Sequence, residues 1–241
     1  MVNFPVAIVT GASRGIGESV AKGLAEIGYK TIIIARSKEK LESVASEIKS
    51  IVREKNDLIP DIYVTDVTDS ERLKENIKEI INKYKRIDVL VNNAGILNKG
   101  TLDQNLNDFK DLMETNLFSP YVILKEVVPV MKKAGSGYIF NIASRAGKIG
   151  FPDSGVYCAS KFALVGFSES LYKSIAKDGI KITSICPSWV NTQMAQDAGA
   201  KMPTEEMIQP EDITKTIQWL LTLSPSTFIK EVMIECKTRI R

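Results

Sequence analysis

The strongest constraint on this chain is the alternation of two kinds of segment along nearly its whole length. Short apolar runs occur at 6–11 (VAIVTG), 30–35 (KTIIIA), 61–67 (DIYVTDV), 88–95 (DVLVNNAG), 138–144 (YIFNIAS), 181–187 (KITSICP) and 231–235 (EVMIE). Between them lie stretches with apolar residues at helical spacing. GIGESVAKGLAEIG carries Ile16, Val20, Leu24 and Ile27, and Gly28 is placed to close that helix. Ser37 can cap the next helix, which is striped by Leu41, Val44, Ile48 and Ile51. Thr68 and Glu71 read as a capping box ahead of Leu73, Ile77, Ile80 and Tyr84. Further helices are expected over 106–133, over 157–177 and from Pro210 through Leu221. Several runs are continuously apolar, so their strands need cover on both faces, as parallel strands joined by helical crossovers do. The expectation is an α/β fold of three layers, a doubly wound parallel sheet of about seven strands with helices on both faces. No linker divides the chain, so residues 1–241 are expected to form one domain. Residues 188–209 show no clear period, mix polar residues with Met194, Met202 and Met207, and are expected to form a lid over a substrate.

The most restrictive feature of the composition is the absence of histidine. It excludes Ser-His-Asp hydrolysis, Cys-His proteolysis and histidine-ligated zinc. Any proton carrier must be Tyr, Lys, Asp, Glu or Cys. The net charge of +3 comes from interspersed signs with no long basic run, which does not suggest nucleic-acid binding. The basic end KTRIR reads as a solvated tail. Cys158, Cys186 and Cys236 form neither a metal spacing nor a disulfide framework, and are expected to be buried thiols in a reducing cytoplasm. The N-terminus has no signal-peptide pattern and no apolar run reaches about 18 residues, so no membrane association is expected.

TGASRGIG, residues 10–17, lies between the first strand and the first helix. Gly11, Gly15 and Gly17 permit a tight turn and close approach of a pyrophosphate, and the helix start offers amide donors and the positive end of its dipole. With Ser13 and Ile16 in the same turn, this predicts a dinucleotide site. NAD enzymes usually end the second strand with Asp or Glu, which accepts from the ribose hydroxyls. Here that strand ends Ala35-Arg36-Ser37, and Arg14 stands in the glycine turn. Guanidinium groups pair with a 2′-phosphate where a carboxylate would repel it, so NADP(H) is the expected cofactor.

In VYCASK, Tyr157 and Lys161 stand four apart in a helical stretch and share a face. A cation about 4 Å from the phenol is worth up to about 4 kcal/mol at an effective dielectric near 20, or about three pK units. That would bring a tyrosine near neutrality, where acid–base catalysis works best. Together TGASRGIG, Asp66-Val67, NNAG at 92–95, Asn116, Ser144 and Tyr157-x-x-x-Lys161 resemble the short-chain dehydrogenases/reductases, over residues 5–192 and more loosely to the end. The resemblance implies a Rossmann-type fold and hydride exchange between a nicotinamide and a carbonyl or alcohol. It makes Tyr157 the general acid and Ser144 the group holding the substrate carbonyl. Lys161 binds the nicotinamide ribose and lowers the phenol pKa; Asn116 holds a helix kink and a proton-relaying water. Asp66 and Val67 flank the adenine, and Asn92 lines the cofactor cleft beside Asn93, Ala94 and Gly95. Pro187, Val190 and Thr192 hold the carboxamide side. The outer faces of the two long helices pair across a two-fold axis, implying a homodimer or homotetramer, with Phe109, Leu112, Phe118, Leu164 and Phe167 serving core or interface. The chain departs from many relatives at Pro187-Ser188, where they have Pro-Gly, and in EVMIE, where they have a glycine-rich strand. Its expected substrate is a ketone, aldehyde, dicarbonyl, hydroxy acid or 3-oxoacyl thioester. A cofactor-binding sensor or scaffold without turnover is the other class of function.

Overall fold

The computed structural model describes residues 2–53 and 55–237. In chain order the elements are β1 (Val6–Thr10), α1 (Gly15–Glu26), β2 (Lys30–Ala35), α2 (Lys38–Val52), β3 (Asp61–Val64), α3 (Ser70–Tyr84) and β4 (Val89–Asn92). They continue with α4 (Leu106–Met113), α5 (Ser119–Ala134), β5 (Gly137–Ile142), α6 (Gly155–Ile175), β6 (Ile180–Pro187), α7 (Gln193–Asp197), α8 (Pro210–Thr222) and β7 (Glu231–Ile234). The seven strands pair in the order β3-β2-β1-β4-β5-β6-β7, all parallel.

The side-chain alternation of β1 shows why the sheet is sandwiched. Ala7 and Val9 face a cluster with Val20 and Leu24 of α1, Leu41 of α2 and Ile213 and Ile217 of α8. Val6 and Ile8 face the other, with Leu73 and Ile77 of α3 and Ile123 and Val127 of α5. None of these four β1 side chains is exposed to solvent. Truncating a side chain at such a position, as in Ile8→Ala, costs roughly 2–5 kcal/mol through lost transfer energy and the cavity left behind.

Several local expectations need correcting. The cap of α3 is Asp69, whose side chain accepts from Arg72 N at 3.0 Å, and Thr68 instead folds back on Asp66. A capping interaction does occur at α8, where Gln209 N donates to Asp212 Oδ2 at 2.9 Å. On α2 the buried stripe ends at Val52, while Ile51 is exposed. The helix expected over 106–133 is interrupted: Glu114–Phe118 is a π-helical segment between α4 and α5. Leu112 and Leu164 are core residues, whereas Phe109 and Phe118 are exposed and Phe167 packs edge-to-face on Tyr121 at 6.0 Å. The thiols Cys158, Cys186 and Cys236 are buried and unpaired. No helix among the described residues is long and apolar enough to cross a membrane. Of the basic C-terminal end, residues 238–241 lie outside the described residues.

Candidate active site

The carboxyl ends of parallel strands share one edge of the sheet. The strand order reverses between β1 and β4, and a crevice opens there. Its walls follow several strands: Ile16 after β1, Asn93 and Gly95 after β4, Ser144 after β5, and Pro187, Val190 and Thr192 after β6. Tyr157 and Lys161 of α6 complete the cleft, which has a volume of about 870 Å³.

The glycine turn lies at one end. Gly11 and Gly15 have φ of 64° and 57°, a region glycine enters without steric cost. A β-carbon on Gly11 would lie 2.9 Å from Ala94 Cα, and one on Gly15 3.0 Å from Thr192 Cγ2. At Gly17 an added β-carbon would overlap Asn93 Nδ2 and Gly11 O. Arg14 occupies the N-cap of α1 without offering a side-chain acceptor, so the first-turn amides have no side-chain cap. A close-approach turn leading into uncapped amides fits a pyrophosphate. The fit extends to β2, where Arg36 is exposed and its Nη1 lies 3.6 Å from Asp66 Oδ2. Asp66 also accepts from Thr68 N and Oγ1, and its carboxyl pKa is lowered by these bonds and by Arg36 against the opposing effect of burial. Val67 beside it is buried.

Asn92 does not line the cleft. As the last residue of β4 it is buried and donates through Nδ2 to Asn141 Oδ1 on β5 at 2.8 Å. Asn93 takes the cleft position, and its Nδ2 donates to Thr10 O and Gly11 O at 2.9 and 3.2 Å. Thr10 was not singled out by sequence reasoning. Its hydroxyl accepts from both Asn93 N and Ala94 N at 3.0 Å, stitching the glycine turn to the loop after β4. Its place immediately before Gly11 was the available signal.

Asn116 sits inside the π-helical segment and is buried. Its Oδ1 accepts from Ile96 N at 2.9 Å, and its Nδ2 donates to Ile96 O and to Ser160 Oγ, both at 3.0 Å. It thereby ties the kinked helix, the loop after β4 and α6 together. Ser144 ends the β5 segment in extended conformation, and its Oγ accepts from Ala146 N at 3.1 Å.

Lys161 Nζ donates to Ile142 O at 2.9 Å and lies 5.8 Å from the centre of the Tyr157 ring. Both residues are buried, and burial dominates their titration. It pushes the Tyr157 phenol up to about 12, with the Ser144 hydroxyl acting in the opposite direction. It pushes the Lys161 ammonium down to about 8. The expectation that Lys161 draws the phenol toward neutrality is therefore corrected for the protein groups taken alone. The hydrogen bond that the ammonium makes is to the backbone carbonyl of Ile142. At neutral pH the phenol is protonated and the ammonium is mostly charged.

Residues 188–209 leave β6 and return beside their own start: Ile208 N donates to Trp189 O at 3.0 Å and Asn191 N to Ile208 O at 2.8 Å. Met194 and Met202 line the cleft, whereas Met207 is buried outside its walls. Trp189, within the expected lid, lines it as well, and so do Ile96, Leu97 and Phe151, which were not foreseen because nothing in their local spacing marks a wall.

A family model described as short chain dehydrogenase matches residues 5–203. The chain belongs to the short-chain dehydrogenase family. A 3-oxoacyl-[acyl-carrier-protein] reductase of Synechocystis sp. is 33% identical over 93% of this chain and 92% of that protein. The crystal structure of a betaketoacyl-[ACP] reductase from Bacteroides thetaiotaomicron is 44% identical, with a TM-score of 0.86 and 99% of each chain covered. A variant of the actinorhodin polyketide ketoreductase, solved with NADPH, is 28% identical, with a TM-score of 0.88 and 97% of each chain covered. The chain is an oxidoreductase of this family.

Proposed function

We propose that the protein is an NADPH-dependent reductase that converts the carbonyl of a 3-oxoacyl group to an alcohol. The observation that carries this reading is the convergence of Ser144, Tyr157 and Lys161 on one cleft beside the glycine turn. When bound, the nicotinamide supplies a hydride. The Ser144 hydroxyl donates to the carbonyl oxygen as negative charge develops there. Tyr157, protonated at neutral pH, delivers its phenolic proton to that oxygen. Lys161, held on Ile142 O, places a cation near the phenol and stabilises the charge left on it. Asn116 holds the loop after β4 against α6. Asn93, Ala94, Gly95, Pro187, Val190 and Thr192 form the nicotinamide side of the cleft, and Asp66 and Val67 the adenine side. Arg14 and Arg36 hold the 2′-phosphate.

The 3-oxoacyl assignment is supported by the Synechocystis and Bacteroides relatives, whose names state that activity. Phe151, Trp189, Met194 and Met202 give the cleft apolar walls suited to an acyl chain. The charged residues on the cleft walls are Lys99, Arg145, Lys161 and Lys201 with Asp153 and Glu206. The segment 188–209, pinned at its base, acts as a lid within a single domain spanning the chain. Leu106, Phe109, Phe118, Tyr121 and Phe162 expose apolar surface on the outer faces of α4 to α6, which supports a homodimer through these helices.

The test is NADPH oxidation with ketones, aldehydes, dicarbonyls and 3-oxoacyl thioesters, repeated with Tyr157→Phe. Thioester-dependent oxidation lost in Tyr157→Phe, with NADPH binding retained, is the expected result. Tight NADPH binding without oxidation across the panel would mean a sensor. A Tyr157→Phe enzyme of near-normal rate would remove the proposed acid.

A further inference from the structure

Ser188, just after β6, and the chain beyond β7 meet in the structure. Ser188 N donates to Ile234 O at 2.8 Å, a ladder bond any residue but proline can make. Ser188 Oγ then accepts from Cys236 N at 2.9 Å, a bond for which glycine has no atom. The hydroxyl thus fastens the chain beyond β7 to the wall of the cleft, since Ser188 and Trp189 both line it. The acidic residues of the same C-terminal stretch reach a second wall. Glu235 Oε1 lies 3.0 Å from Arg145 Nε, and Glu231 Oε2 lies 2.9 Å from Lys148 Nζ.

Arg145 and Lys148 bracket the single helical turn that follows Ser144. Gly147 N donates to Ser144 O and Lys148 N to Arg145 O, both at 2.9 Å, and Ala146 N donates to Ser144 Oγ. The turn therefore sets where the Ser144 hydroxyl points. The Arg145–Glu235 pair is more than a surface coincidence: its side chains are only 22% and 29% exposed. The second oxygen, Glu235 Oε2, is buried with no donor among the described residues. That carboxylate relies on Arg145, and separating the two would leave a partly desolvated charge.

We propose that Glu235, assisted by Glu231, is a positioning residue, and that β7 and the residue after it clamp the turn carrying Ser144. Ser188 and the acidic strand are then two halves of one device, the hydroxyl anchoring the segment and the carboxylates holding the turn. The proposal rests on the assignment of Ser144 to the substrate carbonyl.

Glu235→Gln keeps the shape and removes the charge. In the wild-type background it is expected to lower kcat about tenfold, which is ~1.4 kcal/mol of transition-state stabilisation, with the Kd for NADPH within about twofold. In a Ser144→Ala background the same substitution is expected to change kcat by less than about twofold, because its effect passes through that hydroxyl. Amide exchange over residues 146–149 is expected to speed about tenfold in Glu235→Gln, with β1 and α8 unchanged. Equal loss of kcat in both backgrounds would show a general structural role and overturn the proposal, as would unaltered exchange over 146–149. Should the wild-type protein reduce no carbonyl, the proposed function fails on its own, and the exchange measurement alone decides whether the strand clamps the turn.

Discussion

Lys161→Met separates stability from catalysis at one residue. The lysine is 4% exposed, and burial lowers its pKa from 10.5 to about 8. The difference of about 2.5 pH units corresponds to about 3 kcal/mol, at ~1.4 kcal/mol per unit, charged against the folded state while the ammonium is protonated. Methionine fills a similar volume without the charge. It also gives up the bond from Nζ to Ile142 O at 2.9 Å, a loss of about 1.5 kcal/mol for a charged donor. The variant is therefore expected to be about 1–2 kcal/mol more stable at neutral pH, raising Tm by about 2–8 °C in a chain of this size. The folded pKa lies below the unfolded one, so between about pH 8 and 10.5 the unfolded chain holds more protons. Wild-type stability consequently rises with pH across that window, and the penalty is fully present below it. The advantage of the variant should be greatest below about pH 8 and shrink toward pH 10. Carbonyl reduction should fall by about 100-fold or more over the same comparison. Thermal melts at about pH 7 and about pH 9.5, in the absence of cofactor, make the measurement. A lower Tm for the variant at neutral pH, or an advantage that ignores pH, would refute the claim that the ammonium sits at an energetic cost.

Arg36→Asp should raise the Kd for NADPH about 30-fold or more while changing that for NADH about threefold at most, because it puts a carboxylate beside the 2′-phosphate; equal losses for both, by fluorescence titration, would remove Arg36 from that role. Gly17→Ala should lower Tm and weaken cofactor binding together, at a cost of about 1–3 kcal/mol, since the new methyl group overlaps Asn93 and the Gly11 carbonyl; calorimetry showing an unchanged Tm would mean the turn yields more easily than its packing implies. The kcat/KM for reduction should be level through neutral pH and fall above about 8 as Lys161 loses its proton, well before Tyr157 at about 12; a profile still level near pH 10 would mean that the lysine charge is not required.

The sandwich was legible because strands covered on both faces must be apolar throughout, and β1, β2 and β4 are buried along their whole lengths. The glycine turn was legible because its conformation restricts residue type at Gly11 and Gly15. Other features carry no such signature. A π-helical segment of five residues leaves the apolar pattern of 106–133 close to that of an uninterrupted helix. Asn92 and Asn93 are adjacent and identical in type, and only the pleat decides which turns into the sheet. Thr68 and Asp69 both suit a cap, and the choice followed from Asp66 engaging Thr68. The spacing of Tyr157 and Lys161 placed them on one face but says nothing about desolvation, which sets both pKa values. Arg145 and Glu235 are ninety residues apart, and neither has a local pattern that points to the other.

The π-helical segment makes the polypeptide intolerant of a change in length at that point. Five residues of wider coil hold one more residue than an α-helix would place there, and that surplus turns the Asn116 amide inward to Ile96. Deleting any residue from 114–118 would let the helix heal into regular geometry. The flanks would keep their register, but the surplus that turns the Asn116 amide toward Ile96 would be gone, and with it both bonds to the loop after β4. Insertions and deletions in descendants of this chain should therefore collect in the connections flanking α4 and α5 and spare the fault between them.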